Sequence, residues 1–184
     1  MQTEVITYYL EMTDASQVRP KRQQRSDLLF MEAKEASPEF GRFLYTAVGG
    51  GWYWRTHLKR KYDDWMKHLA RPELSMWVLY ASGTPAGYVE VERQGSEIEI
   101  LSFGLVPQFV GQGLGAHLLT ETLEIAWSAK PTPSRVWLHT CTLDNQPAAL
   151  NNYKARGMRL YDERTMLLEV EDKPPGPWPG AFAK

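Results

Sequence analysis

Hydrophobic and polar positions along the chain change period several times, and each change marks an element. Residues 5–13 (Val-Ile-Thr-Tyr-Tyr-Leu-Glu-Met-Thr) are β-branched and aromatic, the composition of an opening strand, and residues 27–32 form a second short one. Ser37, Pro38 and Glu39 supply a helix cap, a first-turn proline and an acid at the positive dipole end. Phe40, Leu44 and Ala47 then fall on one face until the glycine triplet 49–51 ends the segment. Tyr62, Trp65, Met66 and Leu69 sit at i, i+3, i+4 and i+7, which predicts a helix stopped at Arg71-Pro72.

The period then becomes two. Residues 75–81, 86–92 and 97–106 read as three strands joined by hairpin-length turns at 82–85 and 93–96, hence antiparallel. In the second, Tyr88, Glu90 and Glu92 share one face and Val89 and Val91 the other. A helix over 113–128 carries Leu119, Leu123 and Ala126 on one stripe, with Leu118 and Ile125 beside it, and Pro131 and Pro133 break it. Residues 135–142 form a strand. Asp144 and Asn145 offer caps to a helix running to about Arg156, with Gly157 as its terminator, and 158–161 and 165–171 read as a last pair of strands. Strand, helix, strand in one sheet implies a right-handed parallel crossover. The fold class is therefore α/β (α+β): a mixed, mostly antiparallel sheet with one βαβ crossover and helices on both faces. One domain is expected over 1–172, followed by a Pro/Gly-rich tail over 173–184, expected to be mobile.

Composition narrows the function. The chain has 184 residues, 43% hydrophobic and 23% charged, with a formal net charge of −1, so nothing global attracts nucleic acid or an anionic membrane. A single cysteine, Cys141, excludes an internal disulfide framework and fits a reducing cytoplasm. No apolar run approaches the ~20 residues of a membrane span, and the first residues lack the form of a signal peptide. The basic run 19–25 reads as a solvated loop or as a grip on phosphates or an acidic acceptor. The aromatic and basic stretch after Gly51 reads as a helical hairpin on the sheet rather than a nucleic-acid surface, with Trp52 and Trp54 as a possible lip over a pocket.

The most informative stretch follows the third meander strand. Gly111, Gly113 and Gly115 alternate at the start of the 113–128 helix. Such a turn leaves backbone N–H groups free to converge on an anion, and the new helix adds its unpaired amides and dipole. A phosphate-binding loop of the NTPase kind needs a lysine after the glycines, and none follows. A dinucleotide turn wants Gly-x-Gly-x-x-Gly and an acid about 20 residues on; the spacing here differs and no βαβ unit precedes it. A glycine-rich helix entry with no ligand is the remaining alternative.

The order strand, Val-Pro, Gly-x-Gly-x-Gly, amphipathic helix resembles the acyl-CoA loop of the GNAT superfamily of N-acyltransferases. That pattern, Arg/Gln-x-x-Gly-x-Gly/Ala, matches Val110-Gly-Gln-Gly113-Leu-Gly115 except at Val110, which removes a side-chain anchor. His139-Thr-Cys-Thr-Leu-Asp144 through Tyr153-Lys-Ala-Arg-Gly157-Met158 resembles the family's strand, Asn/Asp-rich turn and helix with Tyr-x-x-x-Gly-Phe. The resemblance runs from Met76 to Val170, so that 1–73 would be the variable acceptor side and 74–172 the acyl-CoA core.

The resemblance implies a splayed pair of parallel strands, 99–106 and 135–142, with the pantetheine arm between them. It places the diphosphate on Val110, Gly111, Gln112, Gly113, Leu114, Gly115 and Ala116, main-chain groups of Phe103 and Leu105 beside the acetyl and the arm, and Asn145 at the pantetheine. It makes acetyl-CoA the co-substrate; no metal is expected, because the histidines lack ligand spacing. Glu99 falls where the family often has its basic glutamate, and Tyr153 matches the family acid. A carboxylate can take the proton of an ammonium acceptor, and a phenol can protonate a leaving thiolate. Glu97 shares Glu99's face as the reserve base. Read from the residues alone, Glu99 is equally a strand carboxylate paired with a neighbouring cation, and Tyr153 a helix aromatic packed on the sheet. His139 and Cys141 read as a core histidine and a small buried thiol, and His57, His68 and His117 as scattered, without ligand spacing. The expected activity is acetyl transfer to a primary amine in a ternary complex, the alternative a catalytically silent acyl-CoA-binding domain. Trp52, Trp54, Glu90, Glu92 and Glu97 hint at a small cationic or aromatic acceptor; peptide amines stay open, as does the choice of monomer or homodimer.

Overall fold

The computed structural model describes residues 2–144 and 147–176. Among the described residues seven strands and four α-helices follow one another as β1 (Gln2–Met12), β2 (Leu28–Glu32), α1 (Pro38–Gly49), α2 (Tyr62–Leu69), β3 (Leu74–Ala81), β4 (Thr84–Gln94), β5 (Glu97–Leu105), α3 (Leu114–Ser128), β6 (Arg135–Cys141), α4 (Ala148–Ala155) and β7 (Arg159–Glu169). The strands make one sheet in the order β2-β3-β4-β5-β6-β1-β7. All neighbours are antiparallel except β5 and β6, the strands that α3 connects. The mixed sheet with one parallel crossover is thus as the periodicity predicts.

Two apolar cores sit on opposite faces. Leu44 and Val48 of α1 pack on Met76, Val78 and Tyr88, while Leu114, Leu118, Leu119 and Leu123 of α3 pack on Leu79, Val89, Val91, Ile98 and Ile100. Tyr153 and Met158 extend the second core across Leu10, Met12, Val136 and Leu138. Alternation along β3, β4 and β5 feeds both layers.

Two features depart from the linear reading. The opening strand β1 lies between β6 and β7, antiparallel to both. The expected last pair of strands is one strand, because β1 offers 11 residues of continuous partner and a bulge at Tyr161, between the Tyr9–Asp162 and Leu10–Leu160 pairs, absorbs the polar middle. From β1 the chain must cross to β2 at the far edge, and residues 19–25 make that crossing along α3. Lys21 N donates to Thr120 Oγ1 at 2.9 Å, Gln23 N to His117 Nδ1 at 3.3 Å, and Arg22 pairs with Glu121 and Glu124. The basic run is a strap on α3. At the other end the tail is docked through Gly176: Gly176 N donates to Gly50 O and Arg55 holds Glu171 and the carbonyl of Lys173. Among the described residues no helix is long and apolar enough to cross a membrane.

Candidate acyl-CoA and acceptor site

β5 and β6 pair from Glu97–Arg135 to Ile100–Leu138 and no further, although β5 continues to Leu105 and β6 to Cys141. The strands part where β5 carries a bulge: Val91 faces Ile100 and Glu90 faces Ser102, leaving Leu101 over. The extra residue reverses the alternation. Ile98 and Ile100 face α3 and Glu99 faces away; beyond the bulge Ser102 turns to Glu90 while Phe103 and Leu105 pack toward α3. A cavity of about 780 Å³ opens between the parted ends and runs to the segment before α2.

Phe103, Leu105, Val110, Gly111, Gly113, Gly115, Ala116 and Tyr153 all line it. Gly113 is the N-cap of α3 with φ 76°, left-handed, and provides no side-chain cap, so the first amides of a 15-residue helix lack helical acceptors. A Cβ at Gly113 would also strike Gln23 of the strap. Gly115 is different: its φ is ordinary and a Cβ would meet Asn152 Nδ2 and Leu105 Cδ1 at 3.7 Å, normal contact. Two loop residues do not face the cavity. Leu114 is fully buried in the core, and Gln112 donates to Gln108 O at 2.9 Å and accepts from Arg25 Nη1 at 3.3 Å. Asn145 lies outside the described residues.

Tyr153 is 5% exposed and meets Phe103 edge-on at 5.8 Å between ring centroids. Burial, helped by the Asp144 carboxylate, pushes its pKa well up, so the phenol keeps its proton. Glu99 does not line the cavity. It is 6% exposed, accepts from Gln94 Nε2 at 2.6 Å, and its Oε1 lies 3.8 Å from Nε2 of His139. Burial raises its pKa, against the Gln94 hydrogen bond and with help from Glu92. Glu97 pairs with Arg135 at 3.5 Å.

His139 connects this carboxylate to the cavity. Its side chain is half exposed rather than in the core, it lines the cavity wall, and desolvation lowers its pKa, against the nearby Asp144. Cys141, beside it on that wall, is half-buried and has its thiol pKa pushed up by burial. Asn152 donates to Gly115 O at 3.0 Å and ties α4 to the loop helix. Asp144 Oδ1 accepts from the Trp54 indole at 3.0 Å while Oδ2 accepts from Thr140 Oγ1 and Cys141 N, so Trp54 is fastened to the end of β6.

The opposite end of the cavity, where an acceptor is expected, holds a group that spacing did not show. His57, in the turn Thr56–Lys59, His68 on α2 and Glu90 on β4 come together, their ligand-type atoms within 4.8 Å of one another. The Arg71 guanidinium, which can only donate, meets His68 Nδ1 at 3.2 Å; Nε2 then carries the hydrogen and donates to Glu90 at 3.2 Å. Arg71 also pairs with Glu92, and Ser102 donates to Glu90 at 3.4 Å. The Tyr45 ring stacks on His57 at 4.6 Å, and burial drives the His57 pKa down to about 4.

The family model described as Acetyltransferase (GNAT) family matches residues 33–158. The chain belongs to the GNAT family of acetyltransferases. Solved structures carry the same fold. A GCN5-related N-acetyltransferase from Kribbella flavida superposes with a TM-score of 0.62 at 15% identity over 95% of this chain and 60% of that one. One from Sphaerobacter thermophilus gives 0.67 at 13% over 95% and 56%. A tandem GNAT protein from the clavulanic acid biosynthesis pathway gives 0.60 at 13% over 93% and 55%. The chain spans a little over half of their length. No curated protein matches the sequence. In this GNAT chain the matched range takes in the parted strands, the glycine loop and the acceptor group, and leaves out β1, the strap and β7.

Proposed function

We propose that this GNAT protein transfers the acetyl group of acetyl-CoA to a primary amine by direct attack within a ternary complex. The supporting observation is that the parted strands, the uncapped start of α3, Tyr153, His57 and His68 all line one cavity. The residues fit the co-substrate: left-handed Gly113 frees the helix amides for a diphosphate, and the unpaired edges beyond Ile100 and Leu138 suit an extended amide-bearing arm. Amides from Gly111 to Ala116 hold the diphosphate, and Phe103 N–H polarises the thioester carbonyl, a role typically worth about 3 kcal/mol.

His139, with Glu99 behind it, takes the proton of the acceptor ammonium. The freed nitrogen attacks the carbonyl carbon, the C–N bond forms, the nitrogen sheds its second proton to solvent and the C–S bond breaks. Tyr153 gives its proton to the departing sulfur and regains one from solvent. His139 Nε2 lies 3.8 Å from Glu99 Oε1, so the carboxylate can orient the ring and balance the charge it gains with the proton.

The test is release of free thiol from acetyl-CoA over a panel of amines, beside calorimetric titration with coenzyme A, for the wild type, Glu99→Gln and Tyr153→Phe. Turnover that both substitutions depress, with coenzyme A affinity kept, supports the reading. Tight coenzyme A binding with no amine acetylated would leave a silent acyl-CoA-binding domain instead.

A further inference from the structure

The carboxylates that β4 and β5 bring near the acceptor end are engaged. Glu90 faces His68 and Ser102, Glu92 holds Arg71, Glu97 holds Arg135 and Glu99 accepts from Gln94. The cations are not matched in the same way. Arg60 lines the cavity, yet its guanidinium makes no hydrogen bond or ion pair among the described residues, and Nη1 is buried without a partner. Its other neighbour is the Trp65 ring, 5.3 Å from Cζ. His57 Nδ1, on the same wall, is likewise buried and unpartnered. Leaving a half-buried guanidinium without an acceptor is costly unless a ligand supplies one, and the neutral His57 ring adds a second unsatisfied polar atom beside it. Trp52 and Tyr53 line the same end.

From this placement, and resting on the acetyl-transfer reading above, we infer that the acceptor is a zwitterion of the amino-acid type: its carboxylate sits on Arg60, with His57 beside it, and its apolar or aromatic body lies against Trp52 and Tyr53. The unpaired Arg60 guanidinium calls for an anion, and the engaged acids leave no free carboxylate for a second ammonium, so a polyamine is disfavoured. Burial lowers the Arg60 pKa and Arg71 adds to the shift, with Glu90 and Asp64 opposing it.

Phenylalanine, its methyl ester and 2-phenylethylamine share a body and an amine and differ in the carboxylate. The wild type should acetylate phenylalanine with a kcat/KM about 30-fold above the other two, the scale of a charge-assisted hydrogen bond. In Arg60→Gln that ratio should fall to within about threefold through KM, and Arg60→Lys should recover part of it. An equal or better rate with 2-phenylethylamine, or an unchanged ratio in Arg60→Gln, overturns the inference. If none of the three is acetylated, calorimetry with N-acetylphenylalanine and N-acetyl-2-phenylethylamine decides: tighter binding of the acid, lost in Arg60→Gln, supports the anion site, and equal binding sinks it. Coenzyme A titrated into the same samples reports separately on the acetyl-transfer reading.

Discussion

The two ends of the cavity are made of different material. At the proposed donor end the groups that would bind are mostly backbone: the amides after Gly113 and the edges of the strands parted at the Leu101 bulge. At the acceptor end they are side chains locked in pairs, Arg71 with Glu92 and His68, His68 with Glu90, Trp54 with Asp144. A backbone site is fixed by where the chain bends, so it tolerates changes of side chain. A side-chain site can be altered one residue at a time without disturbing the loop, so under the proposed function recognition of the co-substrate and of the acceptor would be separable.

The sharpest way to break that contrast is at Gly113. In Gly113→Val a β-branched residue must take a left-handed φ and meet Gln23, so the loop itself must move. Coenzyme A affinity should fall about 100-fold or more by calorimetry, against less than about fivefold for Gly115→Ala, where the added methyl makes only ordinary contacts. Equal effects would show that glycine count rather than helix-start geometry is what matters.

Next in size, Glu99→Gln should lower kcat about 100-fold, within the range of acid–base catalysis. Its stability should move the other way. A carboxyl whose pKa is raised by folding stabilises below its unfolded pKa and loses that contribution as pH rises through the folded value. At pH 7 the neutral amide should therefore hold or raise the Tm, by up to a few degrees, while keeping the Gln94 hydrogen bond. Tyr153→Phe should cost kcat about tenfold to 100-fold with KM for acetyl-CoA little changed, since the ring still packs on Phe103. A loss confined to KM would make the phenol a binding group.

These contrasts also explain what could be read from the chain. The donor end was legible because local rules govern it: alternating glycines, a helix start, strand periodicity and the αL terminator at Gly157, whose φ is 102°. The bulge at Leu101 was not, and without it straight alternation would put Phe103 on the face of Glu99 rather than toward Tyr153. The acceptor group was invisible for another reason. His57 and His68 are 11 positions apart on a short turn and a helix, and Glu90 lies on a strand, so only tertiary packing unites them. The place of β1 between β6 and β7 follows no local signal either, and it turned two expected strands into one.

Smaller effects come from titrating the acceptor end. His57 is held near a pKa of about 4 by burial, with Arg60 adding to the shift and Glu90 opposing it. A histidine unfolds to a value near 6.5, so between roughly pH 6.5 and 4 the unfolded chain binds the extra proton. Stability carried by neutral His57 is then complete above pH 6.5 and is lost as pH falls toward 4. Denaturant unfolding should show stability rising with pH across that window, and His57→Asn should flatten the rise, since an amide keeps polar reach but does not titrate. His139→Asn is the internal comparison at the donor end. Its ring is half exposed and its pKa less displaced, so it should alter the slope less while lowering kcat more. Should the two variants flatten the slope alike, burial at the acceptor end would not be what separates the two regions, and the division drawn between a backbone site and a side-chain site would have to rest on the Gly113 result alone.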